Sequence, residues 1–394
     1  MSPGPSGVVA ARPQLLRAMN EQTLLDQVRR DGPVSRADLA RSSGISKPTV
    51  GLALANLERD GLVRVAGVRT GVRGPAAILY EPRPEAGYVL ALDVGREYLR
   101  GAVADLAGVV RARGARRVRA KSGHSRASQL VGLADELIFE AGLERSDMTQ
   151  TVIGSPGVFD PRREALTLAG NLPGWERPGI VAELREAFGD STMFENDVDI
   201  AALAEQAHGH GREVDSLAFV SIGTGIGMGL VLDGRLHRGA HGAAGEIGYL
   251  PLAEGDNLDP RDVRRSGPLE AAASAAAVVR AARRGGRRGP LSARSVFAAA
   301  GRGEQWALDV VAEEAVLVAK AIASVVAVLD PELIVLGGGI GRAPGFALAV
   351  SGALRKLSPV LPEVRVSALG DDVIVVGCLA TGIEHAWRRV LERG

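Results

Sequence analysis

The apolar positions fall into two regimes. Over the first eighty residues they recur at helical spacing. Leu15, Leu16, Met19, Leu24, Leu25 and Val28 predict one helix from Pro13 to Arg30, stopped by Asp31-Gly32-Pro33. Ser35, with Asp38 three positions on, is placed to cap a short helix from Arg36 to Ser42 that turns Ala37, Leu39 and Ala40 inward. Gly44 marks a tight turn, and Ser46 caps a third helix, Lys47 to Asp60. Pro48 stands in its first turn, and Val50, Leu54 and Leu57 form its apolar stripe. Leu62–Val65 and Ala77–Tyr80 then read as paired strands around a flexible tip, Gly67 to Gly74.

From Gly87 the pattern turns strand-rich. Apolar strands are predicted at Tyr88–Leu92, Leu99–Ala104, from Val109, and at Thr151–Ile153, Met193–Glu195, Val220–Ile222, Gly229–Leu232, Leu333–Leu336 and Val364–Val366. Helices are predicted at Gln129–Gly142, Ile180–Phe188, Val198–Ala207, Leu269–Ala282, Glu304–Leu329, Gly345–Leu357 and Ala380–Arg389. Residues 1–11 are small, contain Pro and Gly, and are expected to be disordered. The pattern divides the remainder into a helical unit over 12–81, a stiff linker over 82–86 that contains Pro82-Arg83-Pro84, and an α/β region over 87–394.

Helix, glycine turn, helix, then a two-stranded wing is a winged helix-turn-helix pattern. Its third helix is expected in the major groove of double-stranded DNA, offering Ser46, Lys47 and Thr49, with Asn56 as a further candidate. Arg69 and Arg73 on the wing are expected to reach phosphates or the minor groove. A small helical protein-binding module with solvated charges is the alternative. Residues 1–85 carry twelve Lys and Arg against eight Asp and Glu, which favours a polyanionic partner.

Two glycine-rich beds concentrate the chemistry of the α/β region. Gly223-Thr224-Gly225-Ile226-Gly227 follows a buried strand, and Gly239 to Gly248 encloses Glu246. Backbone N–H groups in such beds can converge on a phosphate or a polyol; a tight hairpin without a ligand is the plain alternative. Asp197 is predicted at a strand end and helix start, either as a general base or hydroxyl ligand, or as a cap. Arg283, Arg284, Arg287 and Arg288 form a basic loop, read as solvated rather than phosphate-binding.

Composition sets limits. With 46% apolar and 24% charged residues, the chain reads as globular with large cores. No run reaches the roughly 18 apolar residues of a membrane span, and no secretory signal pattern opens the sequence, so a soluble cytoplasmic protein is expected. The single cysteine, Cys378, rules out an intrachain disulfide and a multi-cysteine metal site. His208 and His210 read as a helix-end polar pair rather than metal ligands.

The motifs, in this order, resemble the ROK family (repressors, open reading frames and kinases), and the resemblance runs from the winged helix to the end of the chain. Ala91-Leu92-Asp93-Val94-Gly95 resembles the first phosphate motif of the actin-like ATPase fold, and Gly154-Ser155-Pro156-Gly157 the family's G-x-P-G turn. Asn171 to Trp175 resembles its sugar-side loop, and Glu195-Asn196-Asp197 its E-N-D, whose aspartate is the base in the kinases. Ile222 to Gly227 resembles the second phosphate motif, Gly242 to Gly248 the A-G-E-x-G sugar loop, Gly267-Pro268-Leu269-Glu270 the G-C-L-E segment, and Gly337 to Gly339 the nucleoside-side glycines. The resemblance implies two ribonuclease-H-like lobes with a sugar cleft between them, lined by Asn196, Asp197, Glu246 and Glu270, with Tyr249 beside them.

The sequence also departs from that pattern. Arg96-Glu97-Tyr98 follows Asp93-Val94-Gly95, where the family has small residues and a hydroxyl, so ATP is not expected. Asp93, Gly95, Gly223, Thr224, Gly225 and Gly338 then read as a vestigial phosphate site, with Arg96 and Glu97 opposite the glycine turn. Tyr249 stands where the family has a histidine that contacts sugar and ligates zinc. The zinc cysteines are missing between Tyr249 and Glu270, so no zinc is expected and the segment Ala253 to Ser266 must be held another way. The family's N-D-A-N reads Asn196-Asp197-Val198-Asp199, adding an acid near the cleft. Two readings follow: a homodimeric or homotetrameric transcriptional regulator with a sugar or sugar-phosphate effector and no kinase activity, or an active ATP-dependent sugar kinase fused to a DNA-binding domain.

Overall fold

The computed structural model describes residues 13–70, 76–120, 122–170, 172–252 and 260–393. The expected disorder over 1–11, the wing residue Arg73, the loop residue Asn171 and positions 253–259 of the predicted zinc-free segment lie outside them.

The N-terminal unit runs α1 (Pro13–Asp31), β1 (Val34–Ser35), α2 (Arg36–Ser43), α3 (Lys47–Arg59), β2 (Val63–Arg69) and β3 (Ala77–Pro82). Its small sheet has the order β1-β3-β2. Ser35 and Asp38 form a full capping box at the start of α2, and Ser46 accepts the Thr49 N–H to cap α3. Such caps contribute about 1 kcal/mol each. Leu24, Leu25 and Val28 of α1 pack with Leu39, Val50, Leu54 and Leu57. Two expectations fail here. Leu15, Leu16 and Met19 are exposed, because the first half of α1 runs past the small core. Ala37 is also exposed, while Leu39 is buried and Ala40 packs partly against the core.

Lobe one carries β4 (Tyr88–Val94), β5 (Tyr98–Asp105), β6 (Val110–Arg117), α4 (Gly123–Glu140), β7 (Met148–Ser155), the short pair β8 (Val158–Asp160) and β9 (Ala165–Thr167), α5 (Ile180–Phe188), β10 (Thr192–Asn196) and α6 (Asp197–His208). Lobe two carries β11 (Leu217–Ile222), β12 (Ile226–Leu232), β13 (Arg235–Leu236), α7 (Pro260–Ser266), α8 (Pro268–Ala272), α9 (Ala275–Arg284), α10 (Ala293–Gly301), α11 (Gln305–Leu329), β14 (Leu333–Gly337), α12 (Gly338–Gly341), α13 (Phe346–Leu354) and β15 (Glu363–Val366). A final helix, α14 (Val373–Arg393), returns to pack on β4, β7 and α6.

The two five-stranded sheets, β10-β7-β4-β5-β6 and β13-β12-β11-β14-β15, share one plan. In each, a three-stranded antiparallel meander is extended on its first strand by two parallel strands. The central strands are buried on both faces, so they read as near-continuous apolar runs. This is the duplicated ribonuclease-H-like fold of the actin-like ATPases.

Several boundaries differ from expectation. α4 begins six residues before Gln129, because Ser122 and Ser125 form a capping box ahead of the apolar stripe. The helix predicted over Leu269–Ala282 is two helices, broken where buried Ser274 caps α9. α10 was not anticipated, and α14 begins seven residues before Ala380. Arg283 and Arg284 end α9, while Arg287 lies over the Trp306 ring at 4.5 Å and Arg284 pairs with Glu313.

Candidate functional site

The end of β10 and the start of α6 carry Asn196 and Asp197 of the candidate sugar site. Parallel pairing sets Glu195 beside Gly154 and Asn196 beside Ser155 of β7. Asn196, not Asp197, caps α6: its Oδ1 accepts the N–H groups of Val198 and Asp199 at 3.0 and 3.3 Å. Its Nδ2 donates to the Gly157 carbonyl at 3.0 Å, so the whole amide braces this strand-to-helix turn. Asp197 is thereby left at the first helical position, its Oδ1 accepting the Val198 N–H at 2.9 Å. Burial raises its carboxyl to about 6. Behind the same loop Trp175 is fully buried, donating Nε1–H to Ser155 Oγ at 3.2 Å.

The second glycine bed supplies the facing acid. Gly245 has φ +89, and a Cβ there would collide with the Met228 carbonyl of β12, so only glycine allows this approach. That contact fixes the backbone immediately before Glu246. Burial first, then the charges of Asp197 and Glu270, raises its carboxyl to about 7. Glu270, on α8, accepts the Ile226 N–H at 3.1 Å and lies against Gly225, so it also anchors the first glycine turn. Tyr249 is 44% exposed, at the mouth rather than in the wall; burial and the charges of Glu246, Glu270 and Glu176 push its phenol up.

Asp199, which the sequence marked only as an extra acid, is buried in the same group. It is 5% exposed, its Oδ1 has no hydrogen-bond partner, and burial raises its carboxyl to about 7. The Arg238 charge opposes that rise, and the charges of Glu195, Asp197 and Glu246 add to it. Arg238 is already committed, its Nη2 donating to both Glu195 oxygens at 2.8 and 2.9 Å.

The phosphate-motif residues come together on the lobe-two side. Gly223 donates to the Gly225 carbonyl at 2.9 Å, and its own carbonyl accepts the Ala275 N–H at 2.8 Å. Gly338 (φ +73) packs on the Ile222 carbonyl, bringing Gly339 beside Gly223, and Thr224 is exposed at the tip. From lobe one, Asp93 faces Arg100 across the β4–β5 pair and accepts from it at 3.2 Å. Asp93 is 2% exposed; burial outweighs that cation and raises it to about 7. The Gly95 N–H donates to the Tyr98 carbonyl at 3.0 Å, and the Gly95 carbonyl accepts from Arg126 at 2.8 Å. The Arg96–Glu97 backbone is held by Arg126 and Val118 within lobe one, and its described contacts do not reach the glycine turn. Sequence reasoning missed both Arg100 and Arg126; the first was legible only through strand register.

The residues present do not fit the family's zinc. Tyr249 is at the mouth, Pro268 opens α8, and Cys378 is buried on α14 under the Leu92 carbonyl. Among the described residues no group of three or more His, Cys, Asp or Glu could hold a metal ion. The end of the replaced segment is held by α7 against α8, by Gly267 packed on the Gly248 carbonyl, and by Asp262 facing Arg280 at 3.6 Å.

On the N-terminal unit, Ser46 and Lys47 are exposed and Thr49 is half-buried; the Ser46 and Thr49 hydroxyls are 2.8 Å apart. One candidate is corrected: Asn56 is buried and donates to Glu21 at 2.7 Å, so it joins α3 to α1. Arg69 is exposed and pairs with Asp38 at 2.7 Å, which ties the wing to α2. Leu52, missed in the sequence, is 62% exposed on the face of α3 opposite Val50, Leu54 and Leu57. Its place opposite the apolar stripe was the available signal.

Among the described residues no helix is long and apolar enough to cross a membrane. The ROK family model matches residues 89–382, and a model described as winged helix-turn-helix DNA-binding matches residues 20–64. The chain is 25% identical over 239 residues to the xylose repressor of Bacillus subtilis, covering 60% of this chain and 61% of that protein. It therefore spans about three fifths of that relative's length. A glucokinase of Halalkalibacterium halodurans is 31% identical over 252 residues, covering 59% of this chain and 76% of the enzyme. The crystal structure of a ROK family transcriptional regulator, a homolog of the E. coli MLC protein, superposes with a TM-score of 0.77 at 24% identity, over 96% of this chain and 98% of that one.

Proposed function

The chain belongs to the ROK family, and from that premise we infer that it is a DNA-binding transcriptional regulator whose interlobe cleft takes a sugar or sugar-derived effector. The observation that carries this reading is the coexistence of two sites. A helix-turn-helix with an exposed α3 N-terminus is joined to a two-lobed unit in which the buried carboxylates of Asp197 and Glu246 lie within electrostatic reach of each other. Carboxylates accept the hydrogen bonds that a polyol's hydroxyls donate. The similarity to a xylose repressor supports a carbohydrate-linked repressor. Acting on DNA would place it in the cytoplasm, as a homodimer or homotetramer on a two-fold operator.

Loss of kinase activity belongs to the same reading. Asp93 stands at the first phosphate motif, and Arg100 already occupies it. Arg126 likewise occupies the Gly95 carbonyl. An active sugar kinase is the second reading. Asp197 favours it, because a carboxylate held near 6 is suited to take a proton from a sugar hydroxyl, and the glycine turn is intact. A relative that is a glucokinase keeps it in view.

One set of measurements separates the two. Thermal unfolding with a panel of sugars should show a raised midpoint by linkage, absent in Glu246→Ala. Sugar phosphorylation from ATP that disappears in Asp197→Asn would establish the kinase instead.

A further inference from the structure

Glu314 is a buried acid far along the chain from the sugar motifs. It is 3% exposed on α11, its Oε1 has no hydrogen-bond partner, and among the described residues no ion pair reaches it. A carboxylate so placed takes up a proton: burial, with the Glu313 charge second, raises its carboxyl to about 8. At neutral pH it therefore has an O–H to donate.

The side chain stands in a groove. Val310, Glu313, Glu314, Leu317 and Lys320 recur at spacings of three and four along one face of α11, and all five border a cavity of about 210 Å³. The opposite wall is α9, whose Ala277 and Ala281 are too small to fill the space. α8, which carries Glu270 of the candidate sugar site, adds Ala271 and Ala272 to the lining. The volume exceeds that of an apolar cavity of roughly 150 Å³ that accepts benzene. Charge around the groove is positive. Arg280 is held by the Ala271 carbonyl and faces Asp262 at 3.6 Å, and Arg284 pairs with Glu313 at 3.4 Å. Lys320 is exposed, and its ammonium has no partner among the described residues. A cationic ligand would meet three like charges and a protonated acid. An anion meets a free ammonium and an O–H donor, while the alanine walls receive an apolar body.

We propose that the groove between α9 and α11 is a second ligand site, separate from the sugar cleft, for a small organic monocarboxylate with an aliphatic or aromatic body. The carboxylate accepts from Glu314, and Lys320 supplies compensating charge at the rim.

The test is calorimetric titration of the full-length protein at neutral pH with benzoate and 3-methylbutanoate. Benzoate is compared with benzamide and benzylamine, and 3-methylbutanoate with its amide and with 3-methylbutylamine. At least one carboxylate should bind about ten-fold or more tightly than both its uncharged and its cationic counterpart, as a charge-assisted hydrogen bond allows. Glu314→Leu should abolish that binding, whereas Glu314→Gln, which keeps an N–H donor, should retain most of it. Lys320→Ala should weaken the carboxylate by about three-fold and leave the amide unaffected. The unfolding midpoint of each variant confirms that it is folded; Glu314→Leu replaces an unpaired buried acid by an apolar group and should not lower it. Tighter binding of the amines would show Glu314 ionised and overturn the proposal, as would equal binding of the amides. Absence of binding by every probe would leave the groove to water and overturn it too. Carboxylate binding undiminished in Glu314→Leu would place the ligand elsewhere and overturn the site.

Discussion

Asp93 and Arg100 are direct neighbours across an antiparallel strand pair, and their bond ties the first phosphate motif to β5. A buried carboxylate deprived of its cation is costly, on the order of 3 kcal/mol. Arg100→Ala should therefore lower the unfolding midpoint. The loss should be pH-dependent, because the stranded Asp93 can take up a proton. Its folded pKa is already raised to about 7 and would rise further, so stability is retained at pH 5 and lost as pH climbs to 8. Equal losses at both pH values would refute the assignment. Asp199 follows the same sign for a different reason. Its carboxyl is raised from 3.8 to about 7, so the folded state binds the proton more tightly than the unfolded chain. Stability from this group is present below about pH 4 and is gone above about pH 7. Asp199→Asn should then stabilise the ligand-free protein at pH 8, by roughly 1–3 kcal/mol, and change little at pH 4. Unfolding midpoints across that range decide it.

Helices and strands were legible in the sequence wherever burial is one-sided or complete, and less so where a contact from elsewhere in the chain sets the boundary. The parallel strand β10 and the turn into α6 could be read from Met193-Phe194-Glu195-Asn196-Asp197 because strand, cap and helix follow one another locally. The break between α8 and α9 could not. The alanine-rich run offers no periodicity change, and at the break, beside the Ser274 cap, the Gly223 carbonyl takes the Ala275 N–H from 52 residues away. Asn56 was misplaced for the same reason: its partner, Glu21, lies on another element. Arg100 was invisible without the β4–β5 register. At the N-terminus of α3, by contrast, the Ser46 cap placed Lys47 on an exposed first turn that the sequence could show. Lys47→Ala should weaken operator binding uniformly across sequences and lower the slope of log K against log salt by about 1. Leu52→Ala, lacking a charge, should leave that slope unchanged and alter preference among operator variants through lost apolar contact with thymine methyls. Titrations at three salt concentrations distinguish the two behaviours.

α14 joins the cleft to the DNA-binding unit, and its two ends are fastened differently. At its start, adjacent Asp371 and Asp372 divide between the lobes: Asp371 pairs with Arg342 of lobe two and Asp372 with Arg113 of lobe one. Any closure of the lobes around a ligand acts on this clasp. Along its length α14 packs on α6 and β4, the elements that carry Asp197 and Asp93. At its far end Glu384 receives Arg29 of α1 at 2.6 Å, Arg29 lies over the Trp387 ring at 5.1 Å, and Trp387 donates to the Leu106 carbonyl at 3.0 Å. These residues border a cleft of about 630 Å³ between α1 and lobe one, so the contact there leaves room to shift. The apolar core is also shared, with Leu24 and Leu25 of α1 in one cluster with Val89, Val375 and Trp387. A ligand can couple to DNA only if it binds two arrangements with different affinity, and the Arg29–Glu384 contact is placed to differ between them. Glu384→Gln keeps the side-chain shape and removes the charge. Effector affinity measured without DNA should be unchanged, and operator affinity measured without effector should change less than about three-fold. The ratio of operator affinities with and without effector should fall by roughly five-fold, within the usual 1–3 kcal/mol of allosteric coupling. An unchanged ratio would show that the coupling runs through the shared apolar cluster rather than the ion pair. Trp387→Ala, which opens that cluster, would then be the variant that abolishes it.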